Sequence, residues 1–357
     1  MEATAPVDTL QTTTMWLLWA MIAGAATVLA LYAILERRHT TGSLLRAAIA
    51  PVAGVALGTA YGLAMRSTVF DDESRLVMSL AFLGAVPFGM GALTGALLRP
   101  GANILGAVLL PWATVALSIA AALATGNEGV ICSVMALPLL LGAASLGGVL
   151  VWAVRRRGGS APLAVLVCGG AVAPIGLVRW EDGTQAPRED RTVAGSIDID
   201  APAATVWREI ARVRPIAREE LPVRASHLMG FPRPIEATLS FEGQGAVRKA
   251  SFERGLVFTE TVTIWKPLEE LSFTIAVDPV PPEALDEHVT IGGPHFDVLD
   301  GTYRLEQLAA GGVRLHLSSR HRLSTRFNAY AGWWSDLVMS DIQGAILEVV
   351  KARAEVR

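Results

Sequence analysis

Six apolar stretches follow one another through the first half of this chain, which limits it to a membrane bundle with whatever the second half adds. They run from Met15 to Leu35, Ala47 to Met65, Leu76 to Leu98, Ala102 to Ala124, Val130 to Val154 and Pro162 to Val178. Crossing about 30 Å of hydrocarbon takes about 20 helical residues, with about 17 as the lower limit. The first five stretches meet that length. The sixth is the shortest and contains Gly169, Gly170, Pro174 and Gly176. Charge marks where the apolar regime stops: Met1–Val178 holds 16 charged residues and Arg179–Arg357 holds 47. The reading is a transmembrane bundle of about six helices over 1–178, a polar linker over 179–191 and a water-soluble α+β domain over 192–357. Glu36-Arg37-Arg38 follows the first stretch with no small-residue cleavage site, so no secretory signal is expected.

Loop charge sets the expected orientation. Arg37, Arg38, Arg46, Arg99, Arg155, Arg156 and Arg157 lie in one set of loops, and only Arg66 and Arg75 in the other. Basic residues favour the cytoplasmic side, which puts the N-terminus outside. Six crossings then put the C-terminal domain outside a bacterial cell membrane as well. A sixth stretch that only re-entered would reverse its side.

No Asp, Glu, Lys, Arg or His lies inside the six stretches. Coupled pumps usually carry such groups near the midplane, so a coupled pump is disfavoured. Gly54, Gly58 and Gly62 recur every four residues, as do Gly91 and Gly95. Such stripes let helix backbones approach closely. Packing within the bundle is the first expectation for them, and a homodimer through Gly54, Gly58 and Gly62 the second. Pro51, Pro87, Pro111, Pro138 and Pro174 are expected to act as structural kinks.

The second half carries 21 basic and 26 acidic residues, a net of −5, which argues against nucleic acid as a partner. Both cysteines, Cys132 and Cys168, lie in the apolar half, so no disulfide is available to the soluble part. Its pattern begins with a strand around Ile197 and Ile199 and an amphipathic helix after Pro202. Alternating runs follow at Ile235–Phe241, Gly245–Phe252, Leu256–Trp265, Leu271–Val277, Gly301–Leu308 and Val313–Leu323. A long helix is expected over about Asn328–Ala354, with Phe327, Trp334, Val338, Ile342, Ala345 and Val349 as its apolar stripe. A meandering antiparallel sheet closed by helices is an α+β domain.

Three segments carry a resemblance: Ile197-Asp-Ile-Asp-Ala-Pro-Ala-Ala-Thr-Val-Trp207, Asp300-Gly-Thr-Tyr-Arg-Leu305, and Trp333-Trp334-Ser-Asp336. They resemble the START/Bet v 1-like superfamily, in particular its bacterial polyketide-cyclase/dehydrase-like members, over about Thr192–Glu355. The resemblance implies a helix-grip fold, a curved antiparallel sheet around the long C-terminal helix with a hydrophobic cavity between them. It implies an apolar or amphipathic ligand such as a lipid or polyketide, and no particular reaction.

The candidate cavity residues are Leu315, Leu317, His321, Tyr303, Trp334, Val338 and Arg248. His321 shares a strand face with Val313, Leu315 and Leu317, and its place near the strand end makes a rim position the expectation. Arg248 and Arg320 suit a ligand carboxylate chemically, but solvated outer-face positions are expected for both. Asp336 and Asp341 are expected to face water or cap partners. His288, His295 and Asp297 match no metal-ligand spacing; neither a metal nor a cofactor is expected. The leading functional expectation is a membrane-anchored binding protein whose partners are a small hydrophobic ligand and the lipid bilayer. A cyclase/dehydrase-type enzyme and a ligand sensor coupled to the bundle are the alternatives.

Overall fold

The computed structural model of the chain describes residues 9–37, 44–69, 78–98, 102–158, 160–281, 284–286, 289–309 and 311–356. It divides into two compact units, Met1–Gln185 and Ala186–Arg357.

The first unit is all helical. Its elements are α1 (Thr9–Arg37), α2 (Leu44–Val69), a π-helical turn (Ala81–Ala85) running into α3 (Val86–Ala96), α4 (Ile104–Thr125), α5 (Val130–Arg156) and α6 (Ser160–Asp182). Five of these, all except the third, are long and apolar enough to cross a membrane. This corrects the sequence reading. The short member is the third stretch; the sixth runs unbroken through Pro174 to Asp182. Residues 70–77, the start of the expected third span, lie outside the described residues.

The structure supplies a physical reason for the short third helix. No described residue from Ala81 to Ala96 is exposed. A helix walled in by its neighbours has no lipid to match in length. Its two ends are held by protein groups. The buried Glu181 carboxylate, at the C-terminal end of α6, accepts the Leu80 and Ala81 N–H groups at 2.9 Å each. At the other end, Arg155 of α5 donates to the Ala96 carbonyl. α5 and α6 are joined by the short turn through Gly158, so their C-terminal ends lie at opposite ends of the bundle. The third helix therefore runs from the end of the bundle where α6 finishes toward the end where α5 finishes.

Small residues set the helix spacing. A Cβ on Gly54 would lie 2.8 Å from the Thr94 carbonyl, and one on Gly58 would strike Thr94 and Thr114. Gly62 lies against Met90 and Ser118. The glycine stripe of α2 is thus covered by α3 and α4 of the same chain, and the face read as a possible dimer contact is occupied. Gly91 and Gly95 serve in the same way against Ala144 and Gly148 of α5.

The second unit is a seven-stranded antiparallel sheet with a long C-terminal helix. The strands are β1 (Arg188–Ile199), β2 (Pro234–Leu239), β3 (Val247–Phe252), β4 (Val257–Lys266), β5 (Glu270–Val277), β6 (Phe296–Gln307) and β7 (Val313–Ser324), in spatial order β1-β7-β6-β5-β4-β3-β2. The helices are α7 (Ala203–Ala211), α8 (Ala225–Met229) and α9 (Asn328–Glu355). β1 starts inside the stretch read as linker, because residues 188–192 pair with 320–324 of β7. Register shifts at Pro234/Glu236, Val262/Ile264 and Val298/Asp300 break the ladder locally, which bends strands and increases their twist. One face is apolar. Ile199, Leu239, Val262, Leu271, Phe273, Leu305, Val313, Leu315 and Leu317 form a single core with Val206, Trp207 and Ile210 of α7 and Leu347, Val350 and Ala354 of α9.

Candidate functional site

The covered face of the sheet is not wholly apolar, and its polar side chains form two groups. Strand alternation places them. On β7, Val313, Leu315, Leu317, His321 and Leu323 are all buried on one face. Cross-strand register sets His321 beside Arg191 of β1 and Val298 of β6, and Leu317 beside Gly195 and Tyr303.

The first group lies under the N-terminal half of α9. His321 is fully buried, which overturns the rim position expected for it. Its Nε2 lies 2.9 Å from Ser335 Oγ and 3.7 Å from Asp336 Oδ1. Ser335 Oγ in turn donates to the Gly332 carbonyl at 3.1 Å. Burial pulls the His321 pKa below the ordinary histidine value, against the opposing pull of Asp336. Two turns further along α9, Gln343 Nε2 donates to the Val193 carbonyl at 3.2 Å and to Ser319 Oγ at 3.0 Å. Those two acceptors fix which end of the amide is nitrogen. Arg191 closes this end of the sheet with a two-pronged bond to Asp336, at 3.1 and 2.5 Å.

The second group lies beneath α7. Arg248 and Glu260 face each other across β3 and β4 and form a buried ion pair. The second Arg248 nitrogen reaches the Ile210 carbonyl at 3.4 Å, and the guanidinium stacks 5.5 Å from the Phe273 ring. The Tyr303 hydroxyl is hydrogen-bonded to Arg248, and burial raises its pKa. Burial likewise pushes the Glu260 carboxyl up, against the pull of Arg248. Arg248 is therefore an inward residue, not the solvated one expected. Arg320 is the outward one, paired with Asp300 at the surface.

Three buried polar atoms in these groups have no hydrogen-bond partner: His321 Nδ1, Gln343 Oε1 and Arg248 Nε. Such groups are rare in folded proteins, because leaving one unpaired away from water costs about 1–3 kcal/mol.

The remaining candidates separate. Leu315, Leu317 and Tyr303 belong to the core, and Val338 is buried on α9. Trp334 is half-buried, edge-on to the exposed Trp333 at 4.8 Å. Asp341 caps α8 by accepting from the Ser226 N–H and hydroxyl, at 2.8 and 2.6 Å. His288 lies outside the described residues. His295 sits 3.4 Å from the Ser324 carbonyl. Among the described residues no three His, Cys, Asp or Glu side chains gather as a metal site would require. Sequence reading missed Glu260, Ser335 and Gln343. The signal for Glu260 was present: it alternates with Phe258 and Val262 on an apolar strand face.

Comparison with known proteins gave three results. No protein-family model matches the chain. No curated protein matches it. Solved structures do match, at low identity. The di-domain aromatase/cyclase BexL from the BE-7585A biosynthetic pathway is 16% identical, with a TM-score of 0.32, over 60% of this chain and 63% of that one. The present chain thus spans less than two thirds of that protein. The Zhui aromatase/cyclase from Streptomyces sp. R1128 is 18% identical, with a TM-score of 0.29, over 47% and 94%. Protein Ms6760 from Mycobacterium smegmatis is 12% identical, with a TM-score of 0.30, over 46% and 91%.

Proposed function

We propose that this protein is a membrane-anchored binder of a small apolar or amphipathic ligand, held between the sheet and α9 of its C-terminal unit. The observation that carries the reading is the set of open hydrogen-bonding atoms on His321, Gln343 and Arg248 in an otherwise apolar interior. Binding sites of this kind are mostly apolar, with a few placed polar groups that fix orientation. A lipid-soluble ligand also suits a chain whose other unit carries five helices long and apolar enough to cross a membrane. The arginine bias favours an extracytoplasmic position for that unit.

Native mass spectrometry of the full chain released from detergent tests the reading. The expected result is a co-purified small molecule that leaves on activation, and that is lost when Leu317 is replaced by Trp to fill the interior. A bare protein mass, with no uptake of added apolar probes, sinks the proposal.

A further inference from the structure

The outward face of α9 changes character along its length. In the first half its exposed positions are Ala329, Trp333 and Leu337, with Trp333 at 54% and Leu337 at 37% exposure. The half-buried Trp334 stands edge-on to Trp333 at 4.8 Å. Beyond Leu337 the helix exposes Ser340, Glu348 and Ala352, and Glu348 is ion-paired with Arg224. The large apolar side chains are thus gathered at one end of the helix instead of running down it. That end is also fastened to the point where the chain enters this unit. The buried Asn328 donates from Nδ2 to the Pro187 carbonyl at 2.9 Å. Arg191 of β1 lies against Gly332, where a Cβ would come within 2.7 Å of the guanidinium carbon. Pro187 closes residues 183–187, which lead out of α6, a helix long and apolar enough to cross a membrane. A partner helix would need an apolar stripe that recurs along α9, and the exposed apolar run stops at Leu337. A bilayer surface needs only one end of a helix, and Trp, with an apolar body and one N–H, is enriched at headgroup depth.

We infer that the Trp333–Leu337 end of α9 rests in the headgroup layer of the bilayer that the helical unit crosses. This rests on reading that unit as membrane-spanning, and not on the ligand proposed above.

The test places one environment-sensitive dye at a time on the full chain in lipid nanodiscs, after Cys132→Ala and Cys168→Ala remove the native thiols. The dye is attached at Ala329→Cys, at Ala352→Cys near the other end of the same helix, and at Val165→Cys on the exposed face of α6. Lipids carrying a nitroxide near the headgroup should quench the label at 329 severalfold more than the label at 352. Trp333→Glu combined with Leu337→Glu should abolish that difference; both side chains lie at the surface, and melting checks that the variant folds. Equal quenching at 329 and 352, or no quenching at either, overturns the inference, as does a difference that survives in the folded double variant. A label at 329 that shifts to the blue yet stays unquenched shows a protein partner on this face and overturns it too. Lipids with a deep nitroxide should quench the label at 165 whatever happens on α9. If they do not, the membrane-spanning reading falls and the inference falls with it.

Discussion

Three histidines share a residue-scale property with a measurable consequence. Burial lowers the pKa of His227, His295 and His321 below the ordinary value. Each is neutral in the fold and takes up a proton more readily when unfolded. Above the unfolded pKa, near 6.5, both states are neutral and contribute no difference. As pH falls below that value, the unfolded chain binds protons that the folded chain does not, and stability is lost. The melting temperature of the C-terminal transition should therefore fall from pH 7 to pH 5, and His321→Phe should flatten part of the slope. An unchanged slope would mean that His321 titrates normally. The Arg248–Glu260 pair makes a second prediction. Removing one partner, as in Glu260→Leu, strands a buried charge and should cost about 3–5 kcal/mol, whereas Arg248→Met with Glu260→Leu should recover most of the loss. A double-mutant cycle on melting temperature reads the difference. Neither residue's place was fully legible in the sequence. Alternation puts His321 on the inner face, but whether a strand end is covered depends on α9, far away in sequence. Arg248 is inward because Glu260 lies opposite it, and the sequence does not state strand register.

At the level of elements, alternation and helical spacing located every strand of the sheet and the terminal helix. The differences have local causes. β1 extends back to Arg188 because its first residues pair through charge: Asp190 meets Arg322 at 3.1 Å on the solvated side of the sheet. A strand stabilised in this way has no apolar alternation to read. α9 was expected to face the sheet with an apolar stripe, yet the buried Ser335 and Gln343 interrupt it. Polar residues on a buried stripe are indistinguishable from solvated ones until their partners are known. The third helix of the bundle carries its own prediction. Glu181 satisfies two free N–H groups at a helix start and complements the helix dipole there. Glu181→Ala should cost about 1–2 kcal/mol, and Glu181→Gln less, as judged by melting in detergent. No loss in either variant would show that water serves those N–H groups equally well.

For the molecule as a whole, the path of the third helix decides which side the chain returns to. Because that helix runs from one end of the bundle toward the other, the start of α1 and the end of α6 share one end. Reporters fused before Thr9 and after Arg357 should both be silent in the cytoplasm, given the arginine bias. Opposite responses from the two fusions would mean an odd number of crossings. The same helix has a further consequence for how this protein meets a bilayer. Five helices are long and apolar enough to cross a membrane, and in a bilayer hydrophobic mismatch would act on them through tilt and local thinning. The third, about 24 Å long at about 1.5 Å per residue, has no exposed residue from Ala81 to Ala96, and its ends are served by Glu181 and Arg155. In bilayers of increasing thickness the outer helices should adjust their tilt around a central strut that does not sense the change. Polar contacts at the strut's two ends would then hold across membranes that differ in acyl-chain length.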